Sequence, residues 1–442
     1  MKVVLTGDSL FSSTNLRQRL DPAIVQRLSA ADVNFTNAEF TTPDVTTAPA
    51  AGRVYTTAVP QNRLDELVDL GFNLVNFANN HSGDFGIKGM LDTYNAAQER
   101  GLQPLGIGRS RAEAMKPRFI DQPDWRIGIV SATATRGDIF LASDAGNGVA
   151  ARPGVNPLRW QRTYVVDAAK YDQLVQINRV LGTEKSQRIG TDIERWASLP
   201  PNQMYLGSMY EERLLIEKGE KNYVKTTPHR QDLEAIKRQI QDAKRRADFV
   251  IFDLHTHEGI AENWYADEPA EFVKVAAREI IDAGADVVLG HGAHFLRTIE
   301  NYHGKPIFYN LGSFLMEFEA GESIIPPEMY EAYHLSPATA RPSDLHSSRA
   351  TDQNGNFVGF NGDPVFSEGL MVEIDLTAQG PRYYLVPTNL RMQDQRNLNR
   401  GIPVMADEQT AQQIIQRLQR LNPHSTVQFK YHHSSHELEL LH

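Results

Sequence analysis

The stretch Phe77-Ala78-Asn79-Asn80-His81-Ser82-Gly83-Asp84-Phe85-Gly86 sets how the rest of the chain is read. Before it, Phe72 to Phe77 alternates apolar and polar residues in the period of a strand. After it, Ser82-Gly83-Asp84 begins a turn ahead of a helical run from Gly89 to Arg100. Two amides and an imidazole therefore stand at the carboxyl end of a strand. Open α/β sheets bind ligands at that edge, because the departing loops aim several side chains at one spot. An asparagine offers a neutral oxygen to a cation, and a histidine offers a transferable proton. Read locally, the same residues also suit an Asx-turn beside a hydrogen-bonded histidine. The rest of the chain separates the two readings.

Working outward, other predicted strands end the same way. Val3 to Thr6 runs into Gly7-Asp8. In Ala31 to Glu39 the period of two puts Val33, Phe35, Asn37 and Glu39 on one face, which turns polar at its end. Phe249 to Phe252 leads to Asp253-Leu254-His255-Thr256-His257, and Ala285 to Leu289 leads to Gly290-His291-Gly292-Ala293-His294. Helical patterns lie between them, opened by Pro60 and running over Gln231–Ala243 and Glu271–Asp282, so βαβ units are the expected arrangement. Further strands are predicted at Arg126–Ser131, Pro306–Tyr309, Leu370–Leu376 and Arg382–Val386, and a last amphipathic helix at Glu408–Leu421. The segments from about 133 to 227 and from 317 to 366 interrupt this regularity and read as insertions. The expected organisation is a single domain over residues 1–442, with those two insertions and a C-terminal helix and tail from about 406 to 442. The tail histidines His432, His433, His436 and His442 are scattered.

Composition bounds the chemistry. With 442 residues, 41% hydrophobic and 23% charged, the chain can bury a large core. No run approaches the roughly 20 apolar residues of a membrane helix, and Met1-Lys2 passes straight into a strand, so neither anchor nor signal peptide is expected. The absence of cysteine removes thiolate metal sites and cysteine nucleophiles and suits a cytoplasmic protein. A formal charge of −10 disfavours non-specific binding to nucleic acid.

Collected, the strand ends offer Asp8, Glu39, Asn80, His81, His255, His257, His291 and His294. Divalent Mn, Fe and Zn accept this mixture of carboxylate, imidazole and amide oxygen. A carboxylate can bridge two such ions roughly 3.5 to 4 Å apart, a pair that makes hydroxide at neutral pH and clamps a tetrahedral centre. Singly, each residue has a plainer role as a helix cap or a hydrogen-bonded ring. Together, ligand types at five strand ends point to a dinuclear hydrolase. Gly7-Asp8-Ser9-Leu10 also resembles the start of a GDSL-type esterase, but no Gly-x-Asn-Asp block or C-terminal Asp-x-x-His accompanies it.

Gly7-Asp8, Asn37-Ala38-Glu39, Ala78-Asn79-Asn80-His81 with Asp84 and Gly86, Leu254-His255, Gly290-His291-Gly292-Ala293-His294 and Gly304 to Gly312 resemble the CapA (poly-γ-glutamate capsule synthesis) family, a branch of the calcineurin-like metallophosphoesterases. The resemblance covers residues 1 to about 130 and 231 to 315. It implies an αββα sandwich of two mixed sheets flanked by helices. It further implies that Asp8 and His294 serve one metal and Asn80, His255 and His291 the other, with Glu39 bridging and His81 donating a proton. His257, with Thr256, departs from the family's Trp-Gly at this point and is a candidate extra ligand. Leu10 stands where standard metallophosphatases carry a histidine, which weakens the first metal position.

The function implied is a metal-dependent hydrolase acting on a phosphoester or a γ-glutamyl or peptide-type amide. The alternative is an accessory, non-catalytic role in making or exporting the capsule polymer. The substrate expected is a small molecule, short peptide or polymer carrying negative charge. Arg152, Arg341, His346 and Arg349, in the insertions thought to roof the site, are its candidate contacts, or else solvated loop charges.

Overall fold

The computed structural model describes residues 1–207, 213–319, 321–422, 427–432 and 437–441. Its larger sheet has ten strands. Lys2–Phe11, Val33–Ala38, Leu74–Asn76 and Gln103–Leu105 run parallel and adjacent. On the other side of Lys2–Phe11 come the antiparallel pair Glu368–Thr377 and Gly380–Asn389, then the hairpin Gln428–His432 and Glu437–Leu441. The second sheet has six strands, with Arg126–Thr133, Phe249–Thr256, Val287–Gly292 and Lys305–Phe308 parallel at its centre and antiparallel edges at Arg118–Asp121 and Ile299–Tyr302.

Strand alternation sorts the side chains into layers. Val3, Leu5, Val33, Phe35 and Leu74 of the first sheet meet Ile127, Ile129, Ile251, Val287 and Leu289 of the second in one buried cluster between them. The residues one step out of phase face outward. Val4 packs with Ile24, Leu64, Leu67 and Tyr94 from helices on one side. Val250 and Phe252 pack with Leu233, Ile236, Ile240, Phe272 and Ile280 from Arg230–Arg246 and Glu271–Asp282 on the other. Helix, sheet, sheet and helix thus stack as four layers, the αββα sandwich that the resemblance implied.

The same alternation carries the polar residues inward. Phe249–Thr256 continues as strand through Asp253 and His255 rather than ending before them, so Ile251, Asp253 and His255 share one face, as do Val287, Leu289 and His291. Asp8 would fall out of phase with Val3 and Leu5, but the ladder to Val33–Ala38 shifts register between Leu5 and Asp8. A bulge of this kind re-aims a side chain, and Asp8 is buried. Gly7 is forced to be glycine there, since a Cβ would lie 1.9 Å from the Gly312 carbonyl oxygen.

The first insertion is more ordered than its sequence suggests. Besides Trp160–Val166, where the sequence Tyr164-Val165-Val166 reads as a strand, Gln203–Leu206, Leu214–Lys218 and Tyr223–Pro228 join it in a separate four-stranded sheet beside helices Ala168–Val180 and Thr183–Glu194. These strands are short and carry Glu217, Lys218 and Lys225, so their alternation is faint. In the second insertion the helices Pro327–Ala332 and Pro342–Ala350 form where no periodicity was apparent. Of the tail histidines, His432 lies 3.0 Å from Glu439 in the terminal hairpin, while His433, His436 and His442 lie outside the described residues.

Candidate functional site

The carboxyl ends of the central parallel strands of both sheets converge on one buried cluster. Asp8, Glu39, His255 and His291 have no solvent exposure, and Asn80, His81, His257 and His294 are nearly as buried. Asp8, His255 and His291 each present an atom able to bind a metal, all within 4.8 Å of one another, and Glu39, His257 and His294 form a second such group. The division is not sharp, because Asp8 lies 3.2 Å from the Nδ1 of both His291 and His294. The Oδ1 of Asn80 lies 2.9 Å from His255 Nε2. The structure thus brings together every residue that the sequence nominated for metal binding, His257 included.

Glu39 is the centre of the arrangement. Its Oε1 lies 3.6 to 3.9 Å from nitrogens of His257, His294, His81 and His255, yet neither of its carboxylate oxygens has a hydrogen-bond partner. Burial and the neighbouring Asp8 push its carboxyl well above the usual range. His257 Nε2 is likewise buried without a partner. The Nδ1 atoms of His255 and His291 face each other at 3.0 Å, an approach in which only one can donate. Burial and the adjacent imidazoles hold His255 and His257 well below the usual histidine range, hence neutral and able to ligate. Uncompensated lone pairs converging in a dry space are what a divalent cation satisfies, and the donor set suits Mn, Fe or Zn.

Surrounding groups fix the orientations. Asp8 accepts hydrogen bonds from Asn37 Nδ2 and the Gly292 N–H, both at 2.9 Å. Burial opposes its ionisation, but His291 and His294 outweigh that and hold it well below the ordinary carboxylate range. Asp253, fully buried, lies 2.7 Å from His291 Nε2, turning the ring's other nitrogen towards Asp8 and His255. Burial acts against the charged ring of His291, but Asp253 and Asp8 raise it to about 9. His294 takes a left-handed backbone, φ 66°, of the kind that concentrates at functional positions. Arg297, fully buried, donates to the carbonyls of His257, Glu258, Trp264 and Ala266 at 2.9 to 3.1 Å and so clamps the segment that delivers His257.

The Asn79-Asn80-His81 turn takes the Asx-turn geometry and also sets Asn80 within the cluster. Asn79 Oδ1 accepts from the His81 N–H at 3.0 Å as in an Asx-turn, while Asn80 points at His255. His81 Nδ1 lies 2.7 Å from Asp84, which also accepts from Arg53 Nε and the Thr57 N–H. Its Nε2 faces Glu39. Ser9, the candidate esterase nucleophile, is buried with its hydroxyl 2.7 Å from Thr36 Oγ1.

Above the cluster opens a cavity of about 880 Å³, floored by Glu39, Asn80, His81, His257 and His294 and walled by aromatic rings, among them Tyr55, Trp264, Phe360 and Phe366. His346 and Arg349 line it, on the helix Pro342–Ala350. Arg152 and Arg341 do not. Arg152 is exposed and donates to the Leu141 carbonyl, and Arg341 is exposed and pairs with Asp344 at the helix start. Their charges are spent on local loop and cap contacts. No described residue from 133–227 lines the cavity; of the two insertions, only the second contributes to its wall. Asp253, Arg53, Tyr55 and Arg297 were not singled out from sequence. Asp253 had a legible signal, sitting two residues before His255 on the same strand face.

Fold and site together define a two-sheet α/β protein with a carboxylate–imidazole centre at the sheets' carboxyl edges. The chain belongs to the bacterial capsule synthesis protein family PGA_cap, whose sequence profile matches residues 2–317. It is 32% identical over 439 residues to the uncharacterized protein y4sH of Sinorhizobium fredii, covering 95% of this chain and 89% of that one. It is 26% identical over 290 residues to the PGA biosynthesis protein CapA of Bacillus subtilis, covering 64% of this chain and 53% of that protein, about half its length. It also aligns with the structure of a phosphatase from Mycoplasma pneumoniae over 90% of this chain and 98% of that one, with a TM-score of 0.37 and 13% identity. Among the described residues no helix is long and apolar enough to cross a membrane.

The cavity wall carries a pH dependence. His346, stacked on Phe318 and 3.2 Å from Ser323 Oγ, is lowered to about 3 by burial and then by Arg349. The unfolded chain, with histidine near its ordinary value of about 6.5, binds a proton that the native state refuses. Stability therefore falls as pH drops from about 6.5 towards 3, by up to about 1.4 kcal/mol per unit. Denaturant melts between pH 7 and pH 5 are predicted to show a shallower loss in His346→Phe than in the wild type. Parallel losses would contradict the assignment.

Proposed function

We propose that this protein is a metal-dependent hydrolase of anionic substrates, with Asp8, Asn80, His255 and His291 and, around Glu39, His257 and His294 holding two divalent ions, Mn, Fe or Zn. The observation that carries the reading is the Glu39 carboxylate, buried and unpaired among four imidazoles. Bound there, such ions supply Lewis acidity towards water and towards an oxygen of the substrate. The protein's own groups do the rest. His81 faces the same space, its ring oriented by Asp84 at 2.7 Å from Nδ1 with Nε2 towards Glu39, and is the group placed to protonate the leaving group. The Asp84 carboxylate is in turn held in place by Arg53.

Arg349 is the group we assign to substrate charge. Its Nη1 donates to the Tyr55 hydroxyl at 2.6 Å, and the guanidinium lies over the rings of Tyr55 and Tyr333, 4.6 and 5.5 Å from their centroids. It has no carboxylate partner among the described residues. Tyr55 packs edge-on against His81, ring centroids 5.7 Å apart. One tyrosine therefore separates the proton donor from a partly buried cation, which sets where a second anionic group of the substrate binds. The substrate class proposed is a phosphoester or a γ-glutamyl amide bearing such a group. A relative from Mycobacterium tuberculosis, 27% identical over 243 residues, carries the name probable polyglutamine synthesis accessory protein, which favours a second reading, an accessory role in polymer synthesis without turnover.

Metal-loaded protein assayed against phosphoesters and γ-glutamyl amides is predicted to hydrolyse one of the two classes, to lose this on chelation and to regain it on reloading. His81→Asn should lower kcat by about 10²- to 10⁴-fold with metal content retained. No turnover of either class by the loaded protein would favour the accessory role. Arg349→Ala is predicted to raise KM roughly tenfold or more for substrates with the second anionic group, with little change for substrates lacking it. An equal effect on both kinds would remove Arg349 from recognition.

A further inference from the structure

A second cavity, of about 580 Å³, lies outside the site described above. Its lining is dominated by guanidinium groups, those of Arg19, Arg63, Arg391 and Arg396, together with Ser13 and Asn399. The floor is set by a close approach of two backbones, because a Cβ on Gly321 would lie 2.1 Å from the carbonyl carbon of Ser12. Ser12 also receives the Arg63 side chain, whose Nε donates to its carbonyl at 2.5 Å.

The charges are not balanced by the protein. Arg19 is spent on uncharged acceptors, the Ser13 hydroxyl and the Leu398 carbonyl. Arg391 donates from Nη2 to the Ile402 carbonyl at 3.2 Å, while its Nε is buried with no partner. The Arg396 side chain makes no hydrogen bond or ion pair among the described residues. Three acids stand nearby, of which Glu317, buried, accepts from the Ser13 N–H at 3.2 Å. Glu322 is almost fully exposed and reaches Arg63 only at 4.0 Å. Asp394 is occupied by the Arg396 N–H and the Asn399 amide at 2.8 and 3.0 Å. Like charges gathered in a concavity repel one another, at a cost that an anion offsets. A chain with a formal charge of −10 does not assemble such a wall through general composition.

We infer that this cavity is a binding site for an oxyanion-bearing ligand, carboxylate or phosphate, held on Arg19, Arg391 and Arg396. The chemistry fits, since guanidinium forks match both oxyanions with paired hydrogen bonds. Its place in the fold gives it a use. Glu319 and Arg400, paired at 3.0 Å, line the larger cavity. The residues next to them in the chain, Gly321, Glu322, Leu398 and Asn399, line the arginine cavity. An anion held there sits beside the wall of the candidate active site, whether as the far end of an extended polyanion or as a separate effector. The site stands on the arginines alone and does not depend on the metal reading.

Calorimetric titration of the full, metal-loaded chain with pyrophosphate and with pentaglutamate tests it. The wild type is predicted to bind at least one probe. Arg396→Glu should weaken that binding roughly tenfold or more, Arg19→Gln should weaken it too, and Arg396→Lys should retain most of it, all with metal content unchanged. Loss confined to pyrophosphate identifies phosphate as the ligand group, and loss confined to pentaglutamate identifies carboxylate. Absence of binding by the wild type, or binding of both probes by Arg396→Glu and Arg19→Gln at wild-type strength, would overturn the inference.

Discussion

A carboxylate without a hydrogen bond, buried among four imidazoles at the floor of the cavity, is the constraint from which the rest of this structure follows. Burying Glu39 in this way is unfavourable by several kcal/mol unless a cation compensates it. The fold does not relieve that cost with an arginine or lysine. It surrounds the carboxylate with imidazoles instead, and places the buried guanidinium of Arg297 on backbone carbonyls. Stability is exchanged here for a space that favours divalent charge.

How the residues arrive there is a matter of strand geometry. Two parallel sheet centres, packed face to face, bring their carboxyl ends to one edge, and the period of two carries the inward apolar rows Ile251 and Val287–Leu289 into Asp253–His255 and His291. Asp8 needs a register shift to join them. Asp253 and Asn37 then fix ring and carboxylate orientations from behind, so that the cluster is held by the sheets rather than by loops. His81, the proposed proton donor, is the exception. His81 sits on a turn and owes its position to Asp84, Arg53 and Asn79.

Much of this was legible before the structure. Ligand-type residues at strand ends pointed to the cluster, and the polar turnover at Asn37 and Glu39 pointed to the face on which it lies. The αββα layering emerged as expected, and the candidate ligands fall together in space, because hydrophobic alternation and strand-end chemistry are local signals. What was not legible depends on contacts distant in sequence. Arg349 and Tyr55 are about 300 positions apart, and neither has a pattern that announces the other. The four-stranded sheet within residues 133–227 escaped because its strands are short and charged. Arg152 and Arg341 looked like substrate contacts because loop arginines are indistinguishable until their partners are seen; one is held by a backbone carbonyl, the other by its own helix cap.

The central claim is that Glu39 organises a divalent metal centre, and metal content measured by elemental mass spectrometry on gently purified protein tests it most directly. The account predicts close to two equivalents of Mn, Fe or Zn in the wild type and a sharp fall in Glu39→Ala. No bound metal in the wild type, even after reconstitution, would contradict it.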